Sequence, residues 1–509
     1  MITRMQKISV IDLGSNSVKL VNFRINHDNS YQAYQQEAIT VKLAEGLIQT
    51  DNLKEEPIRR TIEALKLFRE IIDTQAIKHV LPVATSAVRD AANKIEFLDR
   101  IYFETGFRFR TLSEEEEALY SYAGTTRSLR IPTALFFDLG GGSLEMVYAE
   151  QYRIKKIISL PLGALRLTQT FADESGKISE KNYEKMKSCI NKYLPEKQTL
   201  KIDDSCVLVG VGGTLRSIAK YNQEITKYPL NKIHNYKMMA KSVHVINERF
   251  SSLKPTKITK ISSISSNRAD TITAGACLID LLMQRLGFDE VIVSAQGLRE
   301  GTILMSLEHP KEFAAGKINQ QHVEASVGFS YEPDTIPSHL EDIVRFLTSY
   351  GHMNEQERLM LALALRQVSH SLTFQNLINF AYYGMDVDSS LSHRQQLISI
   401  LAIIYAKKKK TMDKVFDKFS SILQESDKKP IKKIASLISF SEVLEKSNAK
   451  IKLKSMDGNV IKIRAYPQKT TFPTLLFKEE CDKLSNAFNT EIEYFIDNSK
   501  FKSQSLEVQ

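Results

Sequence analysis

Ile8-Ser-Val-Ile-Asp-Leu-Gly-Ser-Asn-Ser17 and Ala134-Leu-Phe-Phe-Asp-Leu-Gly-Gly-Gly-Ser143 are one phrase written twice. In each copy an apolar run leads to Asp-Leu-Gly, two small residues and Ser. A second apolar run follows, Val18-Lys-Leu-Val-Asn-Phe-Arg-Ile25 in the first copy and Leu144-Glu-Met-Val-Tyr-Ala149 in the second. Apolar runs of this length beside glycine predict buried strands, and two of them around a glycine turn predict a β-hairpin. Glycine lets the backbone approach a ligand closely, and successive turn N–H groups cradle an anion. Gly14, Ser17 and Gly142 therefore belong to the candidate phosphate loops. Asp12 and Asp138, at the mouths of the loops, suit a hydrated metal ion. The repetition predicts two facing half-sites that grip a phosphate chain and its Mg²⁺ between them.

Outward from these loops the chain alternates strand and helix. Pro57 to Asp73 has helical periodicity, and Lys78 to Ala84 reads as a strand ending in Thr85-Ser-Ala-Val-Arg-Asp90. After about residue 130 the scheme repeats: hairpin, helix at Ser179 to Leu194, strand at Cys206 to Gly210, glycine turn, helix, and a last strand at Glu290 to Ser294. Strand–helix alternation argues α/β, and a hairpin at the head of each half argues two related domains, 1–127 and 128–305. Residues 306–446 read as helical, with Glu355 to Arg366 and Ser392 to Ala406 as examples. Residues 447–509 regain strands at Ala449 to Lys454 and Val460 to Ala465 around Asp457-Gly458-Asn459, a hairpin signal that makes this a small α+β domain.

A chain of 509 residues is too long for one core. Its net charge of +9 fits an anionic partner. Four scattered cysteines without a CxxC indicate neither a disulfide framework nor a thiolate metal site. No signal-peptide pattern or membrane-spanning run is present, so a cytoplasmic enzyme is expected, with no membrane partner. Basic strands interleaved with aromatic residues are not evident, so nucleic acid is not expected as a partner.

Further motifs carry chemistry. Val209-Gly-Val-Gly-Gly-Thr-Leu-Arg216 places Gly212, Gly213 and Thr214 at a helix N-terminus, where N–H groups bind anions. In Leu112-Ser-Glu-Glu-Glu-Glu-Ala-Leu119, Ser113 and Glu116 form a capping box. Glu117 falls one position beyond it, where an inward carboxylate could orient a water as general base. Arg89 follows a strand end and Arg268 heads an apolar helix; each offers guanidinium donors to phosphate. Lys407 to Lys410, with Lys428, Lys429, Lys432 and Lys433, form basic clusters that read as a solvated face or as a track for a long polyanion.

Together these residues resemble the exopolyphosphatase/guanosine pentaphosphate phosphohydrolase family, which belongs to the actin, sugar-kinase and chaperone-ATPase superfamily. The resemblance rests on Asp12 to Ser17, Ala87-Val-Arg89, Glu-Glu-Ala118, Asp138 to Glu145, Gly210 to Thr214, Arg268-Ala-Asp270 and Gly297-Leu-Arg-Glu-Gly301. It covers residues 8 to about 305. It implies two ribonuclease H-like, actin-like domains forming a cleft, followed by an all-α HD-like domain and the α+β domain. It implies Glu117 as general base, with Asp138 and Glu145 holding Mg²⁺ (or Mn²⁺) and placing the attacking water. Ser15, Asn16, Gly140, Gly141 and Ser143 would cradle phosphate, with Lys19, Arg89 and Arg268 adding positive charge. The implied reaction is hydrolysis of terminal phosphoanhydride bonds of inorganic polyphosphate. A (p)ppGpp-type nucleotide is the alternative substrate, a non-catalytic polyphosphate or nucleotide sensor the alternative role, and a sugar kinase or chaperone-like ATPase a further one. A homodimer is implied by resemblance alone. The HD-like domain is degenerate, because its stretch reads Leu365-Arg-Gln-Val-Ser369, and His370 and His393 lack adjacent Asp partners.

Overall fold

The computed structural model describes residues 6–27, 29–328, 335–368, 371, 376–385, 390–457, 460–467 and 472–497. They fall into two compact units that divide at residue 330.

The first unit holds two sheets of matching plan. In the first, β1 (Gln6–Leu13), β2 (Ser17–Ile25) and β3 (Tyr31–Thr40) form an antiparallel meander, and β4 (His79–Ala84) and β5 (Arg110–Thr111) continue it in parallel, in the order β3-β2-β1-β4-β5. In the second, β6 (Ala134–Leu139), β7 (Leu144–Glu150) and β8 (Arg153–Leu160) repeat the meander. Then β9 (Val207–Val211) and β11 (Glu290–Val293) run parallel to β6, with β10 (Tyr236–Met239) at the edge. The central strands are buried because their sequences are near-continuous apolar runs. The edge strands β3 and β8 do not stand out in the sequence: one face of each meets solvent, so each mixes polar and apolar residues. Each predicted hairpin is thus the inner part of a three-stranded meander.

The helix Glu114–Leu129 joins the two lobes and packs closely on the helix Leu298–Glu308. Glycine makes that approach: a Cβ at Gly124 would strike the Gly297 carbonyl, and one at Gly301 would strike the Tyr120 backbone. The lobes are also tied by Lys42 Nζ to Asp270 and by Arg166 to Asp90, both at 2.8 Å. Gln169 Nε2 also donates to the Ala44 carbonyl.

The helical region was expected from residue 306, but the segment up to 328 belongs to this first unit. Glu324 accepts from the Ile154 N–H at 2.7 Å, and Arg127 donates to the Ser326 carbonyl. Apolar packing adds to these bonds, because Ile318, Val323 and Val327 are buried in one core cluster with Tyr122, Ile154 and Leu304.

The second unit contains helices Ser338–Ser349, Glu355–Gln367, Leu377–Tyr383, His393–Lys407, Lys409–Lys418 and Lys428–Ser447. A small sheet of β12 (Lys450–Asp457), β13 (Val460–Tyr466) and β14 (Glu491–Ile496) follows, with helix Thr474–Phe488 between its last two strands. His393 is the first residue of its helix and buried, behind the N-cap Ser392. Among the described residues no three His, Cys, Asp or Glu side chains gather to hold a metal. His370, Gly458 and Asn459 lie outside the described residues. Lys433, read from sequence as part of a basic surface cluster, is instead buried, its Nζ held by the His352 carbonyl at 2.6 Å and by Glu357 at 3.1 Å. Its neighbours Lys429 and Lys432 are exposed. All four cysteines are free, and no described helix is long and apolar enough to cross a membrane.

Candidate active site

The repeated phrase folds into the same turn twice. The Gly14 N–H donates to the Ser17 carbonyl and the Gly140 N–H to the Ser143 carbonyl, both at 3.1 Å. The segment downstream pins each loop: Val41, Lys42 and Ala44 donate to Asn16 and Ser15, while Ala164, Leu165 and Arg166 donate to Gly140 and Gly141. Strand register makes the equivalence complete. Asp12 lies opposite Lys19 as Asp138 lies opposite Glu145. The loops touch, because Gly141 and Gly142 have no side chains; Cβ atoms there would sit 3.0 Å from Ser15 Cβ and 2.5 Å from Ser86 Oγ.

Between the loops is a cleft whose empty space, counted to its open mouth, is about 880 Å³. Gly14, Ser15, Asn16 and Ser17 line one wall and Gly140 and Gly141 the other. The third glycine element closes the end. Gly212 has φ 111°, a left-handed conformation that a side chain would strain, and a Cβ there would meet the Leu139 carbonyl. Gly213 then opens the helix Gly213–Ile225 against the Arg268 guanidinium, with Thr214 beside it.

Four cations face this space: Lys19, Arg216, Arg268 and Arg299. Their mutual repulsion is legible in their acidities. Burial, then Arg299 and Arg268, pushes the Arg216 guanidinium down to about 10. The Asp12 carboxylate, 3.3 Å away, holds the Lys19 ammonium up, but burial and the three arginines outweigh it and leave Lys19 lowered. Cations held together against their own charge await a polyanion.

The carboxylates form a second group. Ser113 and Glu116 form the capping box at the head of the Glu114–Leu129 helix. Glu117, the next residue, turns into the cleft with its side chain 12% exposed. Burial pushes it up to about 7, against the opposing charge and hydrogen bond of Arg89. Arg89 NH1 donates both to Glu117 Oε2 at 2.9 Å and to the Leu112 carbonyl at 3.0 Å. Asp138 accepts from Ser121 Oγ at 2.5 Å and is raised by burial. Glu145 is 2% exposed and raised well above its usual range, by burial first and then by the charge of Glu117.

Most of the residues singled out in the sequence meet at this cleft: Asp12, Gly14 to Ser17, Lys19, Glu117, Asp138, Gly140, Gly141, Gly212 to Thr214 and Arg268. Four do not line it. Arg89 stands behind Glu117. Gly142 lines a neighbouring hollow with Ser86, Asp90 and Arg166. Ser143 is buried at the foot of its turn. Glu145, expected at the metal, lies with Asp138 and Ser121 on a small space behind the cleft. Arg216, Arg299, Ser86 and Ser121 also belong to this region, and their sequence signals are local. Arg216 directly follows Gly-Gly-Thr-Leu, and Arg299 sits within Gly297-Leu-Arg-Glu-Gly301. Ser121 falls four residues after Glu117, one turn along the same helix face.

For a divalent cation the donors are hard oxygens. Asp12 and Asp138 line the cleft, and Asn16 Oδ1 is buried there without a hydrogen-bond partner. This set fits Mg²⁺, which binds through one or two carboxylates, waters and substrate phosphates rather than an all-protein cage.

Residues 24–309 match the Ppx/GppA phosphatase family. The chain is 31% identical over 310 residues to the bifunctional 3-dehydroquinate synthase/phosphatase of Fusobacterium nucleatum, with 59% of this chain and 46% of that protein aligned. It thus spans under half of that relative. It is 25% identical over 325 residues to exopolyphosphatase 1 of Mycobacterium tuberculosis, covering 63% of this chain and 94% of the relative. The crystal structure of an exopolyphosphatase from Cytophaga hutchinsonii superposes with a TM-score of 0.55 at 25% identity, over 59% of this chain and 98% of that one.

Proposed function

The chain belongs to the Ppx/GppA phosphatase family, and from that premise we propose that it is an exopolyphosphatase. It hydrolyses the terminal phosphoanhydride bond of inorganic polyphosphate and releases orthophosphate. The observation that carries this reading is Glu117, a buried carboxylate pushed up to about 7 in a cleft walled by two phosphate loops and four cations. The relatives named exopolyphosphatase support the substrate. So does the lining itself: among the described residues no aromatic side chain lines the cleft, so nothing there offers a nucleobase a ring to stack on.

In this mechanism the loops around Ser15 and Gly141, with Thr214, hold the terminal phosphates by N–H and hydroxyl donors. Lys19, Arg216, Arg268 and Arg299 neutralise the phosphate oxygens. Glu117 orients a water in line with the terminal phosphorus and takes its proton as the P–O bond forms. The bridging P–O bond breaks, and its electron pair leaves with the shortened polyphosphate. Arg89 fixes the rotamer of Glu117. Asp12 and Asp138 are the residues that would hold Mg²⁺, which when bound withdraws charge from the phosphate oxygens. Positioning and electrostatics do almost all the catalytic work in such a transfer.

Glu117→Gln should lower orthophosphate release from polyphosphate by about 10²–10⁴-fold while polyphosphate still binds. Wild-type turnover in that variant would refute the assignment of the base. Faster release from guanosine pentaphosphate than from polyphosphate would refute the substrate.

A further inference from the structure

The small sheet β12-β13-β14 of the second unit packs one face on a helix and turns charged residues outward on the other. Along β13, Ile461, Ile463 and Ala465 point inward and are at most 1% exposed. The inward face packs on the helix Thr474–Phe488, where the rings of Phe477 and Tyr494 meet edge to face at 5.7 Å. Period-two alternation then turns Lys462, Arg464 and Tyr466 outward. Register sets Lys450 opposite Tyr466 and Lys452 opposite Arg464 on one side, and Glu493 opposite Lys462 and Phe495 opposite Arg464 on the other. Lys450, Lys452, Lys462 and Arg464 thus share a face with two aromatic rings, with Glu491 and Glu493 on the outer strand.

The rings and cations are interleaved. The Arg464 guanidinium lies 5.0 Å from the Phe495 ring centre and 6.0 Å from that of Tyr466, and Lys452 Nζ lies 6.0 Å from the Tyr466 ring. Phe495 is 58% exposed, while the alternate residues of the same strand, Ile492, Tyr494 and Ile496, are half-buried. Arg464 pairs at 3.5 Å with Asp497, whose side chain is 17% exposed, and on the surface Lys462 pairs with Glu493 at 2.7 Å. A surface pair is weak enough for a phosphate to displace the carboxylate.

We propose that this face binds single-stranded RNA. A sheet that presents aromatic rings among Lys and Arg offers each base a stacking surface and each phosphate a counter-charge. Phe495, diagonal to Tyr466 on the adjacent strand, offers a base an exposed ring to stack on. Polyphosphate has phosphates but no bases, and the exposed ring would contribute nothing to holding it. Glu491 and Glu493 accept hydrogen bonds from ribose 2′-hydroxyls, donors that DNA lacks. Read strand by strand, the sequence does not show this surface, because its two rings lie on different strands with a helix between them.

The test uses the full-length protein and a fluorescein-labelled oligouridylate about 12 nucleotides long, within the usual span of such sites, read by anisotropy. Wild-type protein should bind. Phe495→Ala and Tyr466→Ala should each weaken binding about 10-fold, with thermal melting and orthophosphate release from polyphosphate unchanged. Lys452→Glu should weaken binding and flatten its salt dependence. The proposal is overturned if the oligonucleotide does not bind, or if both ring variants bind as wild type does. It is also overturned if polyphosphate of equal charge competes with ring-independent affinity, or if oligothymidylate DNA binds as tightly as the RNA. Concentration-dependent self-association lost in Phe495→Ala, without RNA binding, would assign the face to a second copy of the chain instead.

Discussion

At the scale of single residues the site turns on which carboxylates are buried and what opposes them. Glu117 must be ionised to act as base, and burial holds it protonated up to about pH 7. Its kcat/KM should therefore rise with pH through an acid limb near 7. Arg89 lowers that value, so Arg89→Gln should move the limb upward in a pH–rate profile; a limb that stays in place would uncouple Arg89 from the base. The shift also fixes a stability sign. The folded state disfavours the ionised carboxylate, so wild type loses stability as pH rises from the ordinary value of 4.5 to about 7 and loses no more above it. Glu117→Gln escapes that loss, and its melting temperature should gain on wild type across that window. Ser121 makes a different contribution. Its hydroxyl is 2.5 Å from Asp138, one turn along the helix from Glu117, so one helix face supplies both the base and the holder of the candidate metal ligand. Ser121→Ala should weaken Mg²⁺ dependence by about 10-fold or more in a cation titration of turnover, with the melting temperature little changed.

At the scale of elements the site depends on how closely two helices approach. Gly297-Leu-Arg-Glu-Gly301 was legible in the sequence as a motif, but not as a packing device. In the structure Gly301 rests on the Tyr120 backbone, Glu300 accepts from the Gly297 N–H at 2.9 Å, and Arg299 is delivered to the cleft. Gly301→Ala should cost about 1–3 kcal/mol in chemical denaturation, because backbone cannot yield as a side chain does. It should also lower turnover more than a mere loss of folded fraction allows, since Glu117 and Arg299 ride on the two helices being forced apart. The strands tell the same story in reverse. Runs such as Val18 to Ile25 announce themselves by apolar content, whereas β3 and β8 are half-wet and take their place only by pairing with β2 and β7.

At the scale of the whole molecule, the first unit is a pair of lobes whose loops must meet, and the lobes are clasped by Lys42–Asp270 and Arg166–Asp90. Exposed ion pairs are worth at most about 1 kcal/mol. Lys42→Glu should therefore lower turnover by no more than about 5-fold and make it less sensitive to salt, and Lys42→Glu with Asp270→Lys should restore it; failure of the double variant would remove the clasp from the account. The sequence by itself determined the duplicated hairpin, the glycine turns, the capping box that sets Glu117 apart from its acidic neighbours, and the α/β alternation. Each is a local rule of periodicity, chirality or capping that acts over a few residues. Only the tertiary structure decided that Arg89 backs Glu117, that Glu145 stands behind the cleft, that Arg216 and Arg299 join Lys19 and Arg268, and that Lys433 is buried rather than solvated. Those outcomes depend on which distant segments come to share a low-dielectric space, and burial and opposing charge arise only once the chain has closed around them.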